Sequence, residues 1–464
     1  MHSNSIIASL LLATRMPAGT AAAEAEAKTQ PRPNAAQVFK QADYQPAADR
    51  LIRAATETDF AQKRLAELCD TFGPRLSGTT NLEAAIDWVL VQMKADGLDH
   101  VRGEEVLVPH WVRGGESLEL LEPEARELPM LGLGNSVGAP ADGITAPVMV
   151  VHSFEELRRR ASQARGRMVL FNAPFVDYGE TVAYRVYGPM EAAGFGAVAA
   201  LVRSIAPVSL QTPHTGMTLY TNTVPKIPAA AITLEDAERL QRAQDRGQAI
   251  VARLKMSAQF LPDARSRNVV AEIVGRERPE EIVLLSGHLD SWDVGQGAQD
   301  DGGGCLAAWE AVRLMHKLAL RPRRTVRVVL WTNEENGVRG AKTYAESHRQ
   351  ELARHVLAIE ADRGTFQPTG FTFRGDGPAR ARAQQAGSLL EKINAGAISD
   401  GGSGADVEQV FPSGVPVMEL TVEGSKYFWF HHTAADTVDK VNAGDLGQCA
   451  AALAVMAYVI ADLP

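Results

Sequence analysis

Residues 281–305, EIVLLSGHLDSWDVGQGAQDDGGGC, decide how the chain is read. Ile282-Val283-Leu284-Leu285 is a short apolar run and reads as a buried strand. It runs out into Gly287-His288-Leu289-Asp290, a loop carrying Gly295 and Gly297, then Asp300-Asp301 and the glycines Gly302 to Gly304. From Leu306 to Leu318 the apolar residues Leu306, Trp309, Val312, Leu314 and Met315 mark a helix. Strand, polar loop and helix in that order make one unit of an α/β fold, and α/β proteins place their sites at the C-terminal ends of sheet strands. A histidine and carboxylates there suit a borderline divalent cation such as zinc. The glycines let the backbone pass close to a bound ion. Taken alone, the stretch also fits a plain Gly-rich loop with a helix cap.

The chain beyond it repeats the pattern. Val269 to Val274 reads as a strand, followed by a tight turn at Arg276 to Glu280. Thr325 to Trp331 reads as a strand that ends in Thr332-Asn333-Glu334-Glu335. Adjacent glutamates at the end of a buried strand are costly unless paired or bound to a cation. His355 to Ile359 ends in Glu360-Ala361-Asp362, and Pro416 to Val422 leads to Phe428-Trp429-Phe430-His431-His432. Separate strand ends therefore deliver His288 with Asp300, Glu334-Glu335, Asp362 and His431-His432 to one sheet edge. That convergence is hard to explain as solvated loops. It matches the needs of a metal pair that shares a bridging carboxylate and a water, with a spare glutamate to take the water's proton. The last segment, Ala443 to Asp462, reads as a long apolar helix.

Upstream, residues 37–69 look helical, Asn81 to Asp96 is amphipathic, and Val101 to Val108 reads as a strand. Phe72 to Gly78 reads as a turn. From about His110 the texture changes to short β-like runs and glycine. Strands are expected at Val148–Val151, Met168–Phe171, Ala197–Val202 and Ile250–Leu254, and helices at Phe154–Gln163, Tyr187–Ala193 and Leu234–Asp245. No clustered metal-ligand types occur there, and His152 and His214 read as isolated structural or exposed residues. The expected organisation is a signal-like segment and linker over 1–36, a catalytic domain in two parts, 37–110 and 258–464, and an inserted domain over 111–257. The insert is expected to shape a site without doing its chemistry.

Composition agrees with this frame. The 464 residues exceed one usual domain, and 45% hydrophobic with 22% charged residues fits a soluble globular protein. A net charge of −9 excludes a basic nucleic-acid footprint. No apolar run reads as long enough to span a membrane. Ile6 to Ala13 with Ala21-Ala22-Ala23 resembles a secretory signal, implying an extracytoplasmic (secreted or periplasmic) protein. Cys69, Cys305 and Cys449 cannot all pair with one another, and they read as buried apolar residues.

Three motifs carry a resemblance: GHLDSWDVGQGAQDDGGG (287–304), WTNEENG (331–337) and KYFWFHHTAADT (426–437). They resemble the co-catalytic zinc aminopeptidases of metallopeptidase family M28, and the likeness extends over nearly the whole chain from about residue 37. Within 111–257, ARGRMVLFN, EAAGFGAVAALVRS and VPKIPAAAITLEDAERL resemble a protease-associated domain. The resemblance implies a doubly wound mixed α/β sheet holding two zinc ions, with a β-rich protease-associated insert overhanging the cleft. It implies His288 and Asp362 on the first zinc, Asp300 bridging, and Glu335 and His432 on the second. Glu334 would be the general base, and Asp290 would hydrogen-bond His288. Many relatives carry Tyr where His431 stands; one branch also shows a His-His pair. A cis peptide at Asp300-Asp301 is implied as well. The implied activity is hydrolysis of dipeptides or short peptides with a free N-terminus, by a homodimer. Rival readings are a catalytically inactive binding ectodomain on the same frame, and a glutaminyl-cyclase-type acyltransferase.

Overall fold

The computed structural model describes residues 39–208 and 210–464. The signal-like segment and linker expected over 1–36 lie outside the described residues. Helices α1 (Gln41–Thr56), α2 (Phe60–Phe72) and α3 (Thr80–Ala95) lead into strand β1 (Asp99–Val112). The Thr79 side chain caps α3 by accepting the Leu82 N–H, and Leu82, Ala85, Ile86, Val89 and Met93 bury one face of it, as the sequence pattern implied.

Next come β2 (Glu116–Glu122), β3 (Arg126–Leu128), β4 (Met130–Gly132), β5 (Ile144–Val151), α4 (Phe154–Arg159), α5 (Ala161–Ala164) and β6 (Met168–Phe171). They are followed by α6 (Tyr178–Thr181), α7 (Ala183–Gly194), β7 (Ala199–Arg203), β8 (Ala229–Ile232), α8 (Leu234–Asp245) and β9 (Val251–Met256). The chain then returns through β10 (Gln259–Ile273), β11 (Arg278–His288), α9 (Gly303–Lys317), β12 (Arg324–Trp331), α10 (Arg339–Ser347) and β13 (His355–Glu360). It ends with β14 (Pro368–Arg374), α11 (Gly377–Gly387), β15 (Ala397–Asp400), β16 (Val417–Val422), α12 (Tyr427–Phe430) and α13 (Ala443–Asp462).

Among the described residues, these strands form two eight-stranded sheets. The first has the order β1-β10-β12-β11-β13-β16-β14-β15, and the second β3-β2-β9-β5-β6-β7-β8-β4. Strands β12, β11, β13 and β16 are neighbours and run parallel, so their C-terminal ends share one edge. Antiparallel β1, β10 and β14 make the first sheet mixed. Its two faces are both covered. Val283 and Leu285 of β11 join a core with α9 and α13, while Ile282 and Leu284 join another with Ala341 and Tyr344 of α10. The α/β reading of this sheet holds.

Three details differ from the sequence reading. Strand β11 starts at Arg278, where a tight turn was expected, and shifts register between Arg278 and Ile282. Strands β14 and β15 were not anticipated; β15 is short, polar and at the sheet edge, with little hydrophobic signal. Helix α13 does have the length and apolarity of a membrane span, yet most of it is buried. Leu453, Val455, Met456 and Ile460 are among its core residues, each contributing roughly 1.5–3 kcal/mol by burial. Cys69, Cys305 and Cys449 are free and buried, as expected.

Candidate metal centre

The parallel strands of the first sheet position the site. His288 is the last residue of β11, Glu334 and Glu335 follow β12, Asp362 follows β13, and His431 and His432 follow α12 beyond β16. Asp300 comes from the loop between β11 and α9, where the Asp300-Asp301 peptide is cis, as the resemblance implied. Close approach explains a glycine there: a Cβ on Gly304 would overlap the Ala361 carbonyl and the Asp301 carboxylate.

The side chains converge. His288 Nε2 lies 3.2 Å from Asp300 Oδ1 and 3.3 Å from Asp362 Oδ1. On the other side, His432 Nε2 lies 3.2 Å from Asp300 Oδ2 and 3.1 Å from Glu335 Oε2. Asp300 thus turns one oxygen to each half. His431 Nε2 is 3.5 Å from Asp300 Oδ2, and its ring stacks on that of His432. Asp301 was not singled out as a ligand, yet it joins His288 and Asp362 in a group whose ligand atoms lie within 4.8 Å of one another. Its carboxylate also accepts the His288 and Gly304 N–H groups.

Burial and charge oppose each other here. Burial alone would lower the His288 and His432 pKa values. The carboxylates outweigh it, Asp362 and Asp300 for His288, Glu335 and Asp300 for His432, and hold both imidazoles well above their usual range. Asp300 is driven well below its ordinary value, against burial, by the His288 and His432 imidazoles beside it. Glu335 is pushed up to about 7 by burial and by Asp300. Burial also raises Glu334, with Asp362, Glu335 and Asp290 adding to it and His288 opposing.

Supporting groups that the sequence reading missed hold this edge. Arg75 is fully buried in the turn before α3 and clamps the Gly-rich loop. It donates to the carbonyls of Leu289 (2.8 Å), Gln296 (2.6 Å) and Gly297 (2.9 Å). Asp436 accepts the N–H groups of Gln299 (2.7 Å) and Asp300 (3.1 Å) and so fixes Asp300 from outside. It lies inside the 426–437 motif, but nothing in its residue type marked its backbone partners.

Two expectations are corrected. Asp290 does not bond His288 through its carboxylate, whose Oδ1 is 3.9 Å from His288 Nδ1. That nitrogen instead meets the Asp290 carbonyl at 3.0 Å, while the carboxylate accepts the N–H groups of Glu334 (3.0 Å) and Glu335 (3.3 Å). Asp290 therefore orients the glutamates with its side chain and His288 with its backbone. His214, set aside as isolated, is buried beside His432, and burial together with His432 holds its imidazole down at about 3. Its neighbour Thr215 bonds the His431-His432 segment directly: the Thr215 N–H donates to the His432 carbonyl at 3.0 Å.

The donor set fits a divalent cation. Among the described residues, buried Asp300 Oδ2 and Glu335 Oε1 have no hydrogen-bond partner, and imidazole Nε2 atoms face carboxylates from both sides. Such carboxylates are costly without a counter-charge. Imidazole with carboxylate at about these spacings suits zinc.

Comparison with known proteins agrees. Residues 268–457 match Peptidase family M28. The chain is 48% identical to carboxypeptidase Q of Mus musculus over 425 residues, covering 91% of this chain and 90% of the mouse protein. Carboxypeptidase Q of Homo sapiens is 49% identical over 401 residues, 86% of this chain and 85% of the human protein. A crystal structure of a peptidase M28 precursor from Shewanella amazonensis SB2B superposes with a TM-score of 0.89 at 34% identity, covering 91% of this chain and 98% of that one. A zinc aminopeptidase from Bacillus subtilis, 20% identical, shares the fold with a TM-score of 0.66 over 87% of this chain and 97% of its own. With this identity spanning the strands that build the centre, the chain belongs to peptidase family M28 and is a metallo-exopeptidase similar over most of its length to carboxypeptidase Q.

Proposed function

We propose that the protein is a di-zinc exopeptidase that hydrolyses dipeptides or short peptides with a free N-terminus. The observation that carries the reading is Asp300, whose two oxygens each lie 3.2 Å from a different histidine, His288 and His432. In this reading His288, Asp362 and Asp300 would hold the first ion, and Glu335, His432 and Asp300 would hold the second.

A zinc pair, when bound, acidifies water and draws electron density from a carbonyl. The remaining chemistry belongs to the chain. Glu334 takes the proton of the attacking water and hands it to the leaving amine. The Asp290 carboxylate holds the backbone of Glu334 and Glu335, so that base and ligand keep separate directions. Trp292 lines the small opening beside Asp300, Glu335 and His432.

Residues 111–257 act in this reading as an inserted domain; strands β2 to β9 all pair within the second sheet. An extracytoplasmic location and a homodimer belong to the same proposal. The presence of each expected ligand side chain disfavours a binding-only ectodomain, and the second sheet disfavours a glutaminyl-cyclase-type acyltransferase. A dipeptide panel with free and blocked termini, assayed with and without zinc, tests the reading. Zinc-dependent release of amino acids from free dipeptides is expected. Equal cleavage of N-blocked peptides, or none with zinc present, defeats it.

A further inference from the structure

The His432 ligand is held largely by residues outside the first sheet. Its Nδ1 lies 3.3 Å from the Thr215 carbonyl oxygen, and the Thr215 N–H donates back to the His432 carbonyl. Behind this pair sits Arg185 of α7, 6% exposed. Arg185 Nη1 lies 3.3 Å from the Thr215 carbonyl oxygen and 3.3 Å from His432 Nδ1, while Nη2 donates to the Tyr178 hydroxyl at 2.9 Å. Tyr178 stacks on Phe428, with ring centroids 4.8 Å apart, and meets the His431 ring edge-on. Gly216 has φ 131°, and a Cβ there would overlap the guanidinium, so the chain passes directly over Arg185.

Chemistry fixes what this arrangement does. A guanidinium can only donate and a peptide carbonyl can only accept. Of the groups beside Nδ1, only the Thr215 carbonyl can take its proton. With the proton on Nδ1, the Nε2 lone pair is free for an ion shared with Asp300 and Glu335. Arg185 pins that carbonyl and, through Tyr178, the neighbouring aromatic residues. His432 itself takes φ 60°, a backbone state that needs such bracing in a residue other than glycine.

We infer that Arg185 is a positioning residue for the His432 half of the metal centre, supplied by the segment that carries the second sheet. This rests on the di-zinc reading above. Side-chain partners of a ligating histidine commonly change metal affinity by about 10- to 100-fold when removed. Loss of Arg185 therefore weakens binding at the His432 half and leaves the His288 half in place.

The test compares the wild type with Arg185→Ala, Arg185→Lys and Tyr178→Phe, and with Arg158→Ala as a surface control on the same segment. Each protein is loaded with zinc and titrated with a chelator while metal content is measured. Cobalt-loaded samples give a visible spectrum of ligand geometry, and kcat and KM are measured separately. The expected result for Arg185→Ala is release of one ion at about 10- to 100-fold lower chelator, an altered cobalt spectrum and a fall in kcat larger than any rise in KM. Arg185→Lys, which keeps the charge but not the fork, recovers part of it. Should Arg185→Ala not fold, Arg185→Lys and Tyr178→Phe decide by the same readouts. Wild-type chelator profiles and cobalt spectra in the folded variants overturn the inference. A wild type that binds no zinc overturns the di-zinc reading instead.

Discussion

At the scale of single residues, Glu334 and Glu335 are adjacent in sequence but differ in what their carboxylates meet, and the proposed function gives them separate roles. Glu335 Oε2 lies 3.1 Å from His432 Nε2, whereas no ion-pair partner holds the Glu334 carboxylate among the described residues. Glu334→Gln keeps the side-chain volume and removes only the proton acceptor. It should retain metal and lower turnover by about 10²- to 10⁴-fold, read by metal analysis and steady-state rates on one sample. Glu335→Ala should lose metal in the same analysis. Near-normal turnover in Glu334→Gln would mean the two roles are wrongly assigned. The convergence of His288, Glu335, Asp362 and His432 was legible in the sequence because these stand near the ends of apolar runs, where a charged residue needs a reason; Asp300, in the Gly-rich loop, was read through its neighbours. Arg75, Asp436 and Thr215 were not, because they act through backbone N–H and C=O groups, and no residue type advertises a backbone partner in advance. Asp290 was half legible: its place beside His288 could be read, but not that its carboxylate turns toward the glutamates.

At the scale of elements, loops and strand clips carry distinct predictions. Arg75 links the turn before α3 to the Gly-rich loop through several carbonyls at once. Arg75→Ala would strand these buried acceptors and should cost roughly 3 kcal/mol or more, measured by chemical denaturation. Lysine should not restore it, since one ammonium cannot reach carbonyls on both sides. Farther from the centre, His348 follows α10 and bridges two carboxylates, Nε2 to Glu104 of β1 at 3.0 Å and Nδ1 to Glu351 at 2.7 Å. Both contacts require protonated nitrogens. Burial pulls the His348 pKa down, but the hydrogen bonds to Glu104 and Glu351 prevail and hold it at about 9. Because the folded value lies above the ordinary 6.5, the stabilisation is complete below that pH and is lost as pH rises through about 9. Urea unfolding of wild type and His348→Gln should show a gap at pH 6 that closes above the His348 value. A gap that stays constant across that range would rule out this clip. The sequence placed β1 and α3 well, since their apolar periodicity is strong, but it could not show which distant strand a surface histidine would reach.

At the scale of the whole molecule, metal and fold are linked. A centre whose ligands come from several strand ends binds metal only when those strands are in place, so metal should stabilise the folded chain. Thermal unfolding with zinc at about 100 times its dissociation constant should gain about 2.7 kcal/mol over the chelated protein. An unchanged transition would mean the centre forms no linked site. The two sheets were partly legible too. Hydrophobic runs gave the buried strands, while the edges β14 and β15 needed partners that sequence alone does not name. The Thr215 backbone and His432 lie 217 positions apart, and Arg75 and Gly297 lie 222 apart. During synthesis the first half of the centre leaves the ribosome while the residue that completes the second is still untranslated. Contacts of such range form late and slowly, so a nascent or truncated chain can present His288 and Asp300 without a finished site. Full metal occupancy is then a sign that translation has run to the far end of the polypeptide.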